Sequence, residues 1–352
     1  MKSYRKILIC FNDPVRYYEN YTGKRSPEAS NDIDLSEKNI VEQIENIRDT
    51  LAKKYSSVET LSVNRDIRKF IDKLRNISPD VVFNLVESVE GNANYESYVA
   101  GLYDLFEISY TGNTPLCLGN CLNKNRTKQI LQSHGIRTPK YIIASFNSYP
   151  DKDKFPLKFP VITKLAREDA SIGISENSVV RNFTDLRNQL EYLFHTYKQE
   201  VLIEEYIEGR EINVAILGSR ILPLSEIKFD GLPDNLPKII TYEAKWSPDS
   251  VYYNNTVPEC PAKLSEDIED KIKIAAEAAF NALGCRDYAR VDIRLSKRNV
   301  PYVIEVNPNP DISPDAGFIR SANAAGLSFQ DVILTIAELA EKRIKYDTQA
   351  AI

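Results

Sequence analysis

Two apolar runs near the carboxyl end of the chain carry polar groups at every second position. In RVDIRL (290–295), Arg290, Asp292 and Arg294 alternate with Val291, Ile293 and Leu295. In VIEVN (303–307), Glu305 and Asn307 alternate with Ile304 and Val306. Strict alternation is the mark of a β-strand, in which residues i and i+2 share one face. Paired around a turn at Ser296–Asn299, the two runs form a hairpin that brings Asp292, Glu305 and Asn307 to a single side. Two readings of that side stand together. It is a polar face open to water, or it is a set of hard oxygen ligands raised out of apolar sequence.

The second reading has a definite chemistry. Three hard donors without a soft one suit Mg²⁺, which takes few protein ligands and completes its shell with water and phosphate oxygens. After the hairpin the chain turns stiffly through NPNPDISPDAGF (307–318), a loop of three prolines and two aspartates.

The amino-terminal part follows a different rhythm. KILICF (6–11), VETLSV (58–63) and DVVFNLV (80–86) read as strands. Between them lie a helix with Ile40, Ile44, Ile47 and Leu51 on one face, capped by Asp34 or Ser36, and a second helix over 65–76. A long polar loop over 12–32 follows the first strand. Such β-α-β-α-β order implies a parallel sheet with function at the carboxyl ends of its strands, where NLVESVEGNANYES (84–97) sits. YTGN (110–113) marks a turn and a boundary. Beyond it come a helix stopped by Gly135, strands at 141–146 and 160–165, and a helix near 184–197. Three strands then follow in EVLIEEYI, EINVAILG and RILPLSEI. A long helix follows from Ser265 to Gly284, and after the hairpin a last one over roughly 328–345.

Bulk properties narrow the class. The 352 residues are 43% hydrophobic and 27% charged, with a net charge of −5, a globular balance without the basic field of a nucleic-acid binder. No apolar run approaches the ~20 residues needed to cross a bilayer. The apolar stretch in MKSYRKILICF is too short for a signal-peptide core. These features predict a cytoplasmic protein with no nucleic-acid or membrane partner. Five scattered cysteines without a CxxC pair, and two distant histidines, argue against a zinc site or a Cys/His catalytic pair.

Neither GxxxxGK[ST] nor GxGxxG is present. Lys164, however, ends the apolar strand PVITK, where an ammonium group is costly unless it meets an anion or snorkels to water. The loop after it, Asp169-Ala170-Ser171-Ile172-Gly173, is small enough to bring backbone N–H groups against a phosphate. Glu204 and Glu205 follow the apolar strand of EVLIEEYIEGRE directly, either as exposed acids or as ligands.

These motifs, taken in order, resemble the D-alanine–D-alanine ligase branch of the ATP-grasp enzymes. The matching stretches are ISYTGN, NKNRTKQILQSHGIRTP, FPVITKLAREDASIG, EVLIEEYIEGREINVAILG, YEAKW, CPA, ALGCRDYARVDIRL and VIEVNP, from about residue 80 to 335. The resemblance implies an ATP-grasp fold, α/β plus α+β. It would comprise an N-terminal Rossmann-like parallel α/β domain (1–118), a small central α+β subdomain (119–207) and a C-terminal α+β catalytic domain (208–352). It implies ATP as co-substrate, two Mg²⁺ ions with Mn²⁺ as a substitute, small amino-acid-like substrates and a homodimer. Lys124 and Lys164 would contact the ATP phosphates. Glu204, Glu205 and the backbone of Tyr206 and Ile207 would hold adenine, Glu211 the ribose, and Lys245 in a mobile YEAKW loop the γ-phosphate. Ser171 would cover the phosphates. Asp292, Glu305 and Asn307 would bind metal, and Arg290 would stabilise an acyl phosphate and the tetrahedral intermediate after it. The implied reaction forms an amide bond and releases ADP and phosphate.

The substrate motifs depart from the family pattern. Its Gly-rich first loop with Ser and Glu is replaced by FNDPVRYYENY. Ala170 stands for a loop serine and Trp246 for a tyrosine. Asp311 and Ser313 line the stiff loop, with Asp311 where a glycine is usual. Glu87 and Glu96 are candidate replacements for the lost amine-binding Glu, or acids at a helix N-terminus. The expected activity is therefore a carboxylate–amine ligase with unassigned substrates. The alternatives are a true D-alanine–D-alanine ligase with divergent recognition, and a nucleotide-binding protein without ligase activity.

Overall fold

The computed structural model describes residues 2–13 and 40–350. The candidate caps Asp34 and Ser36 and most of the polar loop over 12–32 lie outside them. Strands β1 (Ser3–Asn12), β2 (Tyr55–Val63), β3 (Val81–Leu85) and β4 (Ser109–Tyr110) form a parallel sheet in the order β2-β1-β3-β4. Helices α1 (Ile40–Lys54), α2 (Ile67–Ile77) and α3 (Asn94–Leu105) make the crossovers. Consecutive Ile7, Leu8, Ile9 and Cys10 are all buried, as a strand covered on both faces requires. Ile44, Ile47 and Leu51 of α1 are buried too, the face that the periodicity predicts.

The link to the next sheet is two helices, α4 (Pro115–Leu122) and α5 (Lys124–Ser133). The sequence reading put only a turn before α4 and left 115–122 without a helix, because PLCLGNCL is apolar all round and shows no period. Pro115 at its first turn and Thr114, whose hydroxyl accepts from Cys117 N–H, start it. The second sheet is antiparallel, in the order β5-β8-β6-β7, from β5 (Tyr141–Ala144), β6 (Val161–Leu165), β7 (Val179–Val180) and β8 (Val201–Glu205). Helix α6 (Phe183–Tyr197) backs it through Leu186, Leu190, Leu193 and Phe194.

The third sheet runs β12-β11-β9-β13-β14, with β10 (Arg220–Ile221) on β9. Its members are β9 (Gly209–Leu217), β11 (Ser225–Lys228), β12 (Val257–Glu259), β13 (Tyr288–Ser296) and β14 (Pro301–Pro308). The short strand β12 is not apparent from the sequence. YEAKW, read as a loop, is a short helix, α7 (Tyr242–Trp246), capped by the Thr241 side chain and followed by α8 (Val251–Asn254). Helix α9 (Glu266–Ala282) sets Ile272, Ala276 and Phe280 against Val214, Val291, Ile293 and Val303. Each buried Val, Ile or Phe side chain among these contributes roughly 1.5–3 kcal/mol.

Two last helices close the molecule, α10 (Gly317–Ala324) and α11 (Phe329–Ala350). Val332, Ile333, Ile336 and Ala340 of α11 share a core with Ile7, Ile9, Ile47, Val81 and Phe83. The last segment of the expected 208–352 unit thus covers the first sheet. No helix among the described residues is long and apolar enough to cross a membrane.

Candidate active site

The hairpin of β13 and β14 sets the site's geometry. Arg290 lies opposite Asn307, and Asp292 opposite Glu305, with a bulge between Asp292 and Ile293. On its other edge β13 pairs with β9, which puts Asn213 opposite Asp292 and Glu211 opposite Arg294. The Asp292 carboxylate accepts from Arg290 Nε at 2.7 Å and Nη2 at 2.9 Å, from Asn213 Nδ2 at 2.8 Å and from Asn307 Nδ2 at 2.9 Å. Burial opposes the Arg290 charge, but Asp292, then Glu305 and Glu211, hold its guanidinium more firmly protonated than usual. Asn213 was not foreseen. Its signal is the same alternation, in EINVAIL, where Glu211 and Asn213 take every second position.

Glu305 is held from below. Lys124 Nζ, at the start of α5, lies 2.7 Å from its Oε1. Lys124 also donates to the Glu168 carbonyl at 2.6 Å and to Asp169 Oδ1 at 3.2 Å, so it joins the hairpin to the small-residue loop. Burial alone would raise the Glu305 pKa, but Lys124, Lys164 and Lys245 outweigh it and bring the group down to about 2. In the loop, Ala170, Ser171 and Gly173 adopt φ of 52°, 62° and 75°. The N–H groups of Ile172 and Ile174 bond back to Asp169 and Ser171. The expected offer of loop N–H groups to phosphate therefore excludes these two.

One turn along α5 from Lys124, Lys128 reaches Glu204 Oε2 at 2.5 Å, while Lys164 meets Oε1 of the same carboxylate at 2.7 Å. Lys128 also donates to Thr138 Oγ1 at 2.8 Å. The sequence reading passed over Lys128, whose partner lies far along the chain. Burial pushes the Glu204 pKa up, but the two lysines reverse it and leave it lowered. Both oxygens of Glu204 thus face ammonium groups. Arg294 Nε donates to the Ile207 carbonyl at 3.1 Å, and its Nη1 donates to Glu211 Oε2 at 3.1 Å.

These groups border a cavity of about 290 Å³. Glu204, Glu205, Tyr206 and Ile207 line one part, together with apolar Ile162, Ile174 and Ile239. Lys164, Ser171, Lys245, Arg290, Asp292 and Glu305 line another, with Glu211 and Asn213 at its wall. Lys124 and Asn307 do not line it; they reach it through Glu305 and Asp292. Lys245 is exposed as a residue yet carries its amine to this wall. Its pKa is lowered, first by loss of water and then by the Arg290 charge.

The other four candidates stand apart. Glu87 and Asp311 line a cleft of about 20 Å³ with Asn84, Tyr288 and Asn309. Glu96 Oε1 accepts from Asn309 Nδ2 at 3.2 Å, and burial, then Glu87 and Asp169, raise its pKa well above the usual range. Ser313 gives both its hydroxyl and its N–H to Asp311 Oδ1.

A family model described as "D-ala D-ala ligase C-terminus" matches residues 130–338. The chain belongs to the D-alanine–D-alanine ligase family. This ligase has the ATP-grasp fold and forms C–N bonds at the expense of ATP. It is 34% identical to a D-alanine–D-alanine ligase of Nitrosospira multiformis, over 72% of this chain and 78% of that one. It is also 33% identical to an uncharacterized protein of Sinorhizobium fredii, y4sG, over 75% of each. The ATP-grasp fold of the ligase is shared with a crystal structure of a D-alanine–D-alanine ligase from Bacillus anthracis complexed with ATP, at a TM-score of 0.73 and 23% identity. That match covers 97% of this chain and 99% of the other. The VanG D-Ala:D-Ser ligase of Enterococcus faecalis aligns at a TM-score of 0.69 and 19% identity, over 96% of this chain and all of that one.

Proposed function

We propose that this ligase joins the carboxylate of one amino-acid-like substrate to the amine of another through an acyl phosphate. The observation that carries the reading is the cavity wall itself. Lys164, Lys245 and Arg290 stand there beside Asp292 and Glu305, so one surface offers both cations for phosphate oxygens and hard oxygens for a metal. ATP would lie with its adenine against Tyr206, Ile207 and the Glu204–Glu205 strand end, its ribose toward Glu211 and its phosphates toward Lys124, Lys164 and Lys245. Ser171 would close over the phosphates.

Asp292, Glu305 and the side-chain oxygen of Asn307 would hold Mg²⁺, one ion or two, with Mn²⁺ as a substitute. The donor set fits a hard cation, since Asn307 uses only its Nδ2 on Asp292. Bound there, the ion supplies neutralising charge to the phosphates. The chain's own groups do the rest. Lysines offset the repulsion between a substrate carboxylate and the γ-phosphoryl group as the new P–O bond forms and ADP leaves. Arg290, fixed by its two-point contact with Asp292, faces the oxyanion that appears when the amine attacks the acyl carbon. Collapse of that intermediate releases phosphate, and the amine proton passes to water.

The acids Glu87, Glu96 and Asp311 near Tyr288 and Asn309 favour a cationic ammonium group as the feature recognised. The second reading, synthesis of D-alanyl-D-alanine by altered contacts, is supported by the relatives of that name. A binding protein without ligase activity is disfavoured because every carried-over position holds a competent side chain. The domain limits 1–118, 119–207 and 208–352, a homodimer and a cytoplasmic site of action belong to the same proposal.

The test is phosphate release from ATP with D- and L-amino acids, singly and in pairs, with products identified by mass spectrometry. An amide product from a pair other than D-alanine with itself is the expected outcome. D-alanyl-D-alanine at a rate above all other products would establish the second reading. ATP binding without any amide product would leave only the binding protein.

A further inference from the structure

Away from the cavity, three of the five cysteines converge, two of them on α4 and the third far along the chain. Cys117 and Cys121 are one turn apart on α4 and so share a face. Cys285 follows Gly284, whose φ of 68° turns the chain after α9. All three sulfurs lie within 4.8 Å of one another, and Cys117 Sγ is 3.5 Å from Cys285 Sγ. Cys117 and Cys121 are buried, and Cys285 is half-buried as a residue.

The structure assigns these three thiols to a three-coordinate site for a soft, monovalent d¹⁰ cation of the Cu(I) type. A metal–sulfur bond of about 2.3 Å puts the corners of a trigonal S₃ set about 4.0 Å apart, compatible with three sulfurs within 4.8 Å of one another. Thiolates select soft cations over hard ones. No fourth protein donor completes a tetrahedron among the described residues. Asn113 Oδ1, 3.5 Å from Cys117 Sγ, already accepts from Arg286 N–H at 2.7 Å. Arg286 also supplies the compensating charge. Its Nη2 is buried without a hydrogen-bond partner among the described residues. Binding forms three metal–sulfur bonds and releases the thiol protons, with no change of oxidation state.

Occupancy would tie α4 to Cys285, three residues before β13 begins and five before Arg290. The experiment is an anaerobic titration of the full, reduced chain with Cu(I) against a chromophoric Cu(I) chelator. One equivalent bound per chain, with thiolate-to-metal absorption and a raised thermal midpoint, is expected. C117S, C121S and C285S should each lose that equivalent, and C260S should keep it. Because the serine variants could misfold, thiol alkylation of the unaltered chain is mapped with and without Cu(I). Protection should fall on Cys117, Cys121 and Cys285 together. Uptake that survives all three substitutions, protection elsewhere, or Zn(II) bound in preference to Cu(I) would overturn the assignment.

Discussion

Glu204 is a carboxylate with 1% side-chain exposure set between two ammonium groups. Removing one partner of a buried ion pair costs more than the pair contributes, because the other charge stays behind unpaired. Glu204→Ala is therefore expected to lower stability by about 3–5 kcal/mol, measured by urea denaturation. A loss below about 1 kcal/mol, within the range of exposed pairs, would show Lys128 and Lys164 to be solvated. Glu305 offers a test by pH. Its pKa is about 2 in the folded chain against an ordinary 4.5. Between those values the unfolded chain binds more protons, so this contribution is complete above about pH 4.5 and lost as pH falls toward 2. Glu305→Gln lacks it throughout. The stability gap between the native chain and the variant is expected to narrow steadily over that window. A constant gap would mean that Lys124 does not hold the carboxylate. The same variant is expected to lose Mg²⁺-dependent phosphate release.

At the scale of elements, the β13–β14 hairpin depends on the Thr111–Gly112–Asn113 turn. Gly112 N–H donates to Asp287 Oδ2 at 2.8 Å, and Asn113 N–H donates to Asn309 Oδ1 at 2.8 Å. Gly112 has a φ of 83°, and a Cβ there would overlap the Asn309 amide. Gly112→Ala is expected to cost about 1–3 kcal/mol from backbone strain, with a further loss if Asn309 is displaced from Glu96. An unchanged urea midpoint would mean that the turn can relax. The hairpin was legible because period 2 is a local signal. Asp292, Glu305 and Asn307 could be placed on one face from their spacing alone, and the same alternation held Asn213 in view without naming it. Lys128, the Asn113–Asn309 link and the cysteine cluster were not legible. Each joins segments remote in sequence, and no local period records such a meeting.

The whole molecule is closed by α11, a helix readable from its periodicity whose partner was not. Its apolar face meets the first sheet, and the same core takes in Ala215, Leu217 and Tyr288 of the third. Polar contacts fix the fit. Lys54 Nζ lies 2.6 Å from Glu338 Oε1. Arg343 forks onto both oxygens of Asp287 and gives a further bond to the Tyr110 carbonyl. Asp287 has 3% side-chain exposure and otherwise takes only the Gly112 N–H among the bonds described here. Arg343→Ala thus strands a buried carboxylate where the first sheet's last turn, the start of β13 and α11 meet, and a loss of about 3 kcal/mol is expected. Arg343→Lys should recover only part of it, since an ammonium cannot reproduce the fork. A shared core also makes unfolding cooperative. Far-ultraviolet circular dichroism and the fluorescence of Trp246, the only tryptophan, should follow one urea transition in the native chain and one, shifted lower, in Arg343→Ala. Two separated transitions would mean that the first sheet and α11 unfold apart from the cavity lined by Arg290 and Glu305.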